Sequence, residues 1–225
     1  MKIIELDEEL LGICPDIQLG CIYYEVDVKK ECKELWDEIN KQVSYIEQNY
    51  NIDDIYKEDN IVDSRNLYKK IGKDPNRYRI SSESLLRRII QGKGIYKINN
   101  VVDTNNLISI ITKFSVGSYD LDKLGNKLIF RIGKKDESYK GIGKEIINTE
   151  NLPVFSDEEG AYGSPTSDSE KAMITLDTKN VMTVLIAFSD TKKLEEDLLK
   201  SKDMIEKYLN GKNIETYISK KLVIK

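Results

Sequence analysis

Amides and carboxylates frame the segment Asn99 to Leu124. Asp103, Asn105 and Asn106 stand at its head, and Asp120 follows fourteen residues after Asn106. Amide side chains can hold a water or donate to a developing oxyanion, and carboxylates can accept a proton or grip an ammonium group. The same residues would also make a helix capped by Asn and Asp side chains followed by a polar turn, and both readings stand. A second chemistry-bearing run is Asp157 to Glu170, DEEGAYGSPTSDSE. Its two glycines, its proline and its succession of hydroxyl and acidic groups suit a rigid polar loop lining a small-molecule pocket. A surface turn with a helix cap at Ser167 or Ser169 suits them too.

A third candidate is electrostatic. Between Arg65 and Lys97 lie ten basic residues, Arg65, Lys69, Lys70, Lys73, Arg77, Arg79, Arg87, Arg88, Lys93 and Lys97, against Asp74 and Glu83. That window is +8 on a chain of net charge −4, so the remainder is −12. Such a split fits a local phosphate-contacting surface on an acidic protein, and it also fits the solvated faces of two helices. The chain has no histidine. Imidazole bases, Ser-His-Asp and Cys-His catalysis and most zinc and iron sites are therefore excluded, leaving carboxylates, hydroxyls, amides, Lys, Arg, the backbone or the substrate itself. Cys14, Cys21 and Cys32 are odd in number and not spaced as C-x-x-C, which argues against a disulfide framework or a zinc site.

The elements that must hold these residues follow from periodicity. Leu107, Ile110, Ile111 and Phe114 recur at helical spacing, so a helix is expected from about Thr104 or Asn105. Leu35, Ile39, Val43 and Ile46 define an earlier helix whose Trp36 reads as core. A second helix runs from Ile61 to Gly72, and a third follows Ser81-Ser82-Glu83-Ser84 as its cap, with Arg87 and Arg88 outward. The basic loop Lys73 to Arg79 between them would clamp a nucleic-acid backbone. A last helix is expected over Thr191–Asn210, capped by Gly211. Strands are expected near the N-terminus, within Asp16–Val28, and over Lys127–Ile132, Asn180–Phe188 and Asn213–Ile218. Glu137 to Gly143 is a Gly-rich turn without the Gly-Lys-Ser/Thr ending of a P-loop.

The 225 residues, 33% charged and 40% apolar, carry no repeat or linker, so one domain over residues 1–225 is expected. No stretch reads as a signal peptide or a membrane span, so a cytoplasmic location without membrane attachment is expected.

Taken together, Ser64-Arg65-Asn66-Leu67-Tyr68, Asp74-Pro75, Arg77-Tyr78-Arg79, Leu85-Arg87-Arg88, Val101-Val102-Asp103 with Asn106, Tyr119-Asp120-Leu121-Asp122 and Asp157-Glu158-Glu159-Gly160 with the loop to Glu170 resemble a freestanding B3/B4 domain. This is the editing module of the phenylalanyl-tRNA synthetase beta subunit, and the resemblance covers roughly residues 60 to 190. It implies an α+β fold with a β-sandwich core flanked by helices, and a pocket that hydrolyses the ester between a wrong amino acid and tRNA, with no cofactor or metal. The family's Val-Val-Asp-x-Thr-Asn run falls on Val101 to Asn106, with Asn105 in place of its Thr. Its Pro-Met-His-Ala-Phe-Asp run falls on Ser115 to Asp120 and puts Gly117 where its pocket histidine stands, a departure that leaves the amino acid to be removed open.

On this resemblance Asn105 and Asn106 position the water, and backbone N–H groups at Gly163 and Ser164 receive the oxyanion. Asp168 or Glu170 reads the amino acid beside Gly117, and Arg65, Arg77, Arg79, Arg87 and Arg88 hold tRNA phosphates. The expected function is trans-editing of mischarged tRNA, a translation quality-control activity. Loss of the histidine keeps a second reading open, a tRNA- or RNA-binding module without hydrolysis. A third is a small-molecule amide or ester hydrolase.

Overall fold

The computed structural model describes residues 2–220. Along the chain come β1 (Ile4–Leu6), α1 (Glu8–Ile13), β2 (Gln18–Glu25), α2 (Lys33–Asn49), α3 (Asp59–Lys70), α4 (Ser81–Ile90) and α5 (Asn100–Thr112). They are followed by β3 (Ser115–Asp120), β4 (Leu128–Ile132), β5 (Ser138–Lys140), β6 (Ile146–Asn148), β7 (Pro153–Asp157), β8 (Gly160–Gly163), β9 (Asn180–Ala187), α6 (Lys193–Leu209) and β10 (Lys212–Lys220). The fold class is α+β.

Strand periodicity explains the central sandwich. One sheet runs β10-β2-β9-β3 and is antiparallel; the other runs β1-β4-β7-β8, with β1 parallel to β4. Alternate residues Leu19, Cys21 and Tyr23 of β2 and Met182, Val184 and Ile186 of β9 share one core with Phe130 of β4, Phe155 of β7 and Tyr162 of β8. Because successive strand side chains point to opposite faces, Ile22, Tyr24, Val181 and Leu185 fall on the other side, in a core with Ile108 of α5 and Leu194, Leu198 and Ile205 of α6. β2 and β9 are thus covered on both faces, which is why they read as near-continuous apolar runs.

α5 is the wedge between two cores. Val101 and Ile108 pack on the sheet side, and Leu107 and Ile110 pack with Leu35 and Ile39 of α2, Ile61 of α3 and Leu86 and Ile89 of α4. This two-sided burial places its start earlier than helical spacing alone indicated. The capping residue is Asn99, whose side chain accepts from Val102 N–H at 2.9 Å, so Val101 to Asn106 is already helix. Two other caps differ from expectation. α4 has no side-chain cap; Ser81 N–H donates instead to the Pro165 carbonyl at 2.7 Å, tying this helix to the 164–168 loop. α6 ends on Asn210 at φ 51°, one residue before Gly211.

Candidate functional site

The ends of α4 and α5, the edge strand β3 and the loop after β8 enclose a cavity of about 230 Å³. Asn105 and Asn106 of α5 line one wall, Ser115 and Gly117 of β3 a second, and Ser164 to Asp168 a third. Ser81, Val102, Val116, Tyr119, Ile142, Lys144 and Ile186 also line it. Of the candidates singled out in the sequence, Asn105, Asn106, Gly117, Ser164 and Asp168 are therefore brought together, although the chain separates them by up to sixty-three positions.

Asp168 supplies the charge. It is partly buried, and its Oδ1 accepts from the Tyr119 hydroxyl at 2.9 Å. Burial raises its pKa from 3.8 to about 6, while the Tyr119 hydroxyl and the Ser164 amide pull the other way. No cation pairs with it among the described residues; Lys144 bonds to Ser167 Oγ at 2.7 Å and acts on Asp168 only through its field. Tyr119 reaches Asp168 because two glycines leave room. A Cβ at Gly117 would stand 2.5 Å from its hydroxyl oxygen, and one at Gly163 would stand 2.5 Å from that oxygen and 2.6 Å from Asp168 Oδ1. Gly117 and Gly163 thus shape the floor by what they lack.

The 164–168 loop is braced from within. Ser164 N–H donates to Ser167 O at 3.1 Å, and Ser164 Oγ accepts from Ser167 N–H at 3.1 Å and donates to Ser167 O at 2.8 Å. Tyr139 donates to Ser164 Oγ at 3.2 Å, and Tyr68 shares a bond with Thr166 Oγ1 at 2.8 Å. The expected oxyanion donors at Gly163 and Ser164 are corrected accordingly: Ser164 N–H already serves the loop and Asp168, and Gly163 does not line the cavity. Asn105 and Asn106, which carry side-chain amide donors, line the cavity. Asn105 Oδ1 accepts from Ser118 at 3.0 Å, which turns its NH2 group away from the sheet.

Glu170 lies outside. Its carboxylate pairs with Lys140 at 2.9 Å on the surface and is absent from the cavity lining. Asp103 and Asp120 act as braces. Asp103 takes Trp36 Nε1–H at 2.7 Å and Ile98 N–H at 2.9 Å, and burial pushes its pKa up. Asp120 takes Asp122 N–H at 3.1 Å and the Thr178 hydroxyl at 2.8 Å.

The basic window splits into two populations. Glu83 of α4 is fully buried, and Arg65 meets it at 3.0 Å, Arg87 at 2.8 Å and Arg79 at 3.7 Å. Arg65 also donates to Pro75 O and Asn76 Oδ1, Arg87 bonds the Tyr56 hydroxyl, and both guanidiniums lie over the Tyr56 ring at 5.0 and 5.2 Å. Their forks are occupied inside the protein, which corrects the expectation that Arg65 and Arg87 hold phosphates. Arg88 stacks on Tyr96, 3.8 Å from its centroid. Arg77 and Arg79 are exposed and lie just ahead of Ser81 at the cavity.

Tyr119 and Lys144 were missed in the sequence. Tyr119 is two residues from Gly117 and hence on the same strand face, a signal that could have been used. Lys144 follows the Gly-rich turn, and nothing in its own spacing marks it.

The family model described as "B3/4 domain" matches residues 63–211. The chain is similar to the phenylalanine–tRNA ligase beta subunit of Fusobacterium nucleatum subsp. nucleatum, at 27% identity over 111 residues, covering 48% of this chain and 14% of that one. It is similar also to the beta subunit of Malacoplasma penetrans, at 30% identity over 92 residues, covering 40% and 12%. The chain therefore corresponds to a small part of these relatives' length. Among solved structures, an N-terminal fragment of the phenylalanyl-tRNA synthetase beta subunit from Pyrococcus horikoshii aligns with all of this chain and 58% of its own, at a TM-score of 0.47 and 14% identity. With the family model spanning the helices, the edge strand and the loop that form the cavity, this chain belongs to the B3/4 domain family.

Proposed function

We propose that this protein is an aminoacyl-tRNA deacylase acting in trans, which hydrolyses the ester of a mischarged tRNA. The carrying observation is the convergence on one cavity of Asn105, Asn106 and a partly buried Asp168 that no cation pairs with among the described residues. Support for the substrate class comes from the relatives, whose names place them on tRNA. In this scheme a water attacks the ester carbonyl carbon and its proton passes to Asp168, whose pKa near 6 leaves it ionised at neutral pH yet basic enough to take a proton. Side-chain N–H groups of Asn105 and Asn106 receive the oxyanion. The bond to the terminal ribose oxygen then breaks, the proton moves to that oxygen, and free amino acid and tRNA leave. The exposed Arg77 and Arg79 hold the phosphate backbone at the cavity's mouth.

A second reading, a tRNA- or RNA-binding module without hydrolysis, draws on the histidine-free chain and Gly117 at the family's histidine position. A deacylation time course over a panel of aminoacyl-tRNAs, including non-cognate amino acids, separates the two. Rapid hydrolysis of one species, lowered by roughly 10² in Asn106→Ala, is the expected result for a lost oxyanion donor. Retained tRNA binding with no hydrolysis across the panel would leave the binding module.

A further inference from the structure

The face of the β10-β2-β9-β3 sheet beneath α5 and α6 is mostly apolar and carries one connected row of hydroxyls. Tyr24 of β2, Thr183 of β9 and Ser118 of β3 lie on that face, and their hydroxyls form a chain. Tyr24 Oη meets Thr183 Oγ1 at 3.0 Å, Thr183 Oγ1 meets Ser118 Oγ at 2.8 Å, and Ser118 donates to Asn105 Oδ1 at 3.0 Å. Tyr24 and Thr183 are buried, at 4% and 1% exposure. An all-apolar stripe would pack as well without the desolvation cost of three hydroxyls, so the chain calls for a purpose.

Counting protons sets its direction. Each hydroxyl has one hydrogen to donate. Ser118 gives its hydrogen to Asn105, so Thr183 must donate to Ser118, and Tyr24 must then donate to Thr183. With Ser118 as the donor, the chain holds one of the two amide orientations of Asn105. Its carbonyl is held on the sheet and its NH2 faces the cavity.

We propose that Tyr24, Thr183 and Ser118 are positioning residues that lock the Asn105 amide as the oxyanion donor. This rests on the deacylase reading for its catalytic consequence but not for the orientation itself. Two isosteric changes, Tyr24→Phe and Thr183→Val, break the chain without opening a cavity, and Thr183→Ser keeps the hydroxyl.

The first readout is the side-chain amide resonance pair of Asn105 in a ¹⁵N–¹H spectrum of the protein alone, assigned by its loss in Asn105→Asp. Thr183→Val and Tyr24→Phe are expected to shift and broaden this pair, and Thr183→Ser to restore it. The second is kcat and KM on the aminoacyl-tRNA that the unmodified protein hydrolyses. A roughly tenfold fall in kcat with KM held is expected for Thr183→Val, smaller than outright loss of an oxyanion donor because the amide still visits the productive orientation. An unchanged Asn105 pair in both isosteric variants would overturn the proposal, as would a Thr183→Ser variant that loses as much kcat as Thr183→Val. If the unmodified protein hydrolyses nothing on the panel, the deacylase reading alone falls, and the resonance pair decides the orientation.

Discussion

Two carboxylates on neighbouring segments of this fold live under opposite conditions. Glu83, in the first turn of α4, has no exposed surface and three guanidiniums around it. Asp168, on the loop that α4 touches through Ser81 and Pro165, is partly buried and has a phenol and an amide for company. Burying a charge costs several kcal/mol unless partners replace the lost water. Around Glu83 that replacement is complete, and the result joins α3 to α4. Around Asp168 it is partial, and the shortfall appears as a raised pKa. A carboxylate held short of compensation beside a cavity is the arrangement that suits proton transfer or capture of an ammonium group.

Removing the charge at each site should therefore act in opposite directions on stability. Glu83→Gln leaves Arg65 and Arg87, whose side chains are only 14% and 17% exposed, without their counter-charge. A loss of about 3–5 kcal/mol in unfolding free energy is expected, read by denaturant titration. A loss below about 1 kcal/mol would show that the cluster is no more than a surface ion-pair network.

Asp168→Asn is expected to gain stability at neutral pH. With the folded pKa raised from 3.8 to about 6, the folded state holds the proton more tightly than the unfolded chain. Stability from this group is present in full below about pH 4 and is lost as pH rises through about 6, amounting to a penalty of ~3 kcal/mol at pH 7. The variant should flatten the pH dependence of stability between pH 4 and 6. In the same interval the deacylation rate of the unmodified protein should rise with pH, and the variant should lose both that limb and most of the activity. Unaltered pH dependence of stability in Asp168→Asn would place the carboxylate in contact with water.

The contrast between the two sites also marks what could be read from the sequence. Helical spacing located α2, α3 and α6, and β-branched runs located β2, β4 and β9, because single-element periodicity is a local property. The sandwich came from the motif resemblance; which strands face which depends on pairings such as β1 with β4, more than a hundred residues apart. α5 was started too late because its apolar residues serve two cores, which blurs a single stripe. At Glu83 the partner Arg87 is four residues on and legible as a helical pair, whereas Arg65 is eighteen residues back. A charge count over residues 65–97 therefore overstated the cations free for a ligand. Asp168 stood out as one acid in a polar loop, but Tyr119, forty-nine residues away, gives it its setting, and nothing local separates it from Glu170, which faces outward.

The smallest expected effect tests the cationic side of the same comparison. If Glu83 holds Arg65 inside the protein while Arg77 and Arg79 are exposed, the arginines must separate under salt. Each phosphate contact releases condensed counterions, so losing one contact lowers the slope of log affinity against log salt by roughly 1. Arg77→Ala should reduce the salt slope of tRNA binding by about that amount and leave the melting temperature unchanged. Arg65→Ala should lower the melting temperature, because the buried Glu83 loses one of its two close guanidiniums, while keeping the slope. Arg79→Ala should resemble Arg77→Ala, because its guanidinium sits 3.7 Å from Glu83 on a side chain 42% exposed, a contact worth little in water. Fluorescence-anisotropy titrations at several salt concentrations read the slope, and thermal melts of the same samples read stability. Equal slopes for all three variants would move the phosphate contacts away from the Lys73–Arg79 loop, and a reduced slope in Arg65→Ala would mean that tRNA draws this guanidinium away from Glu83.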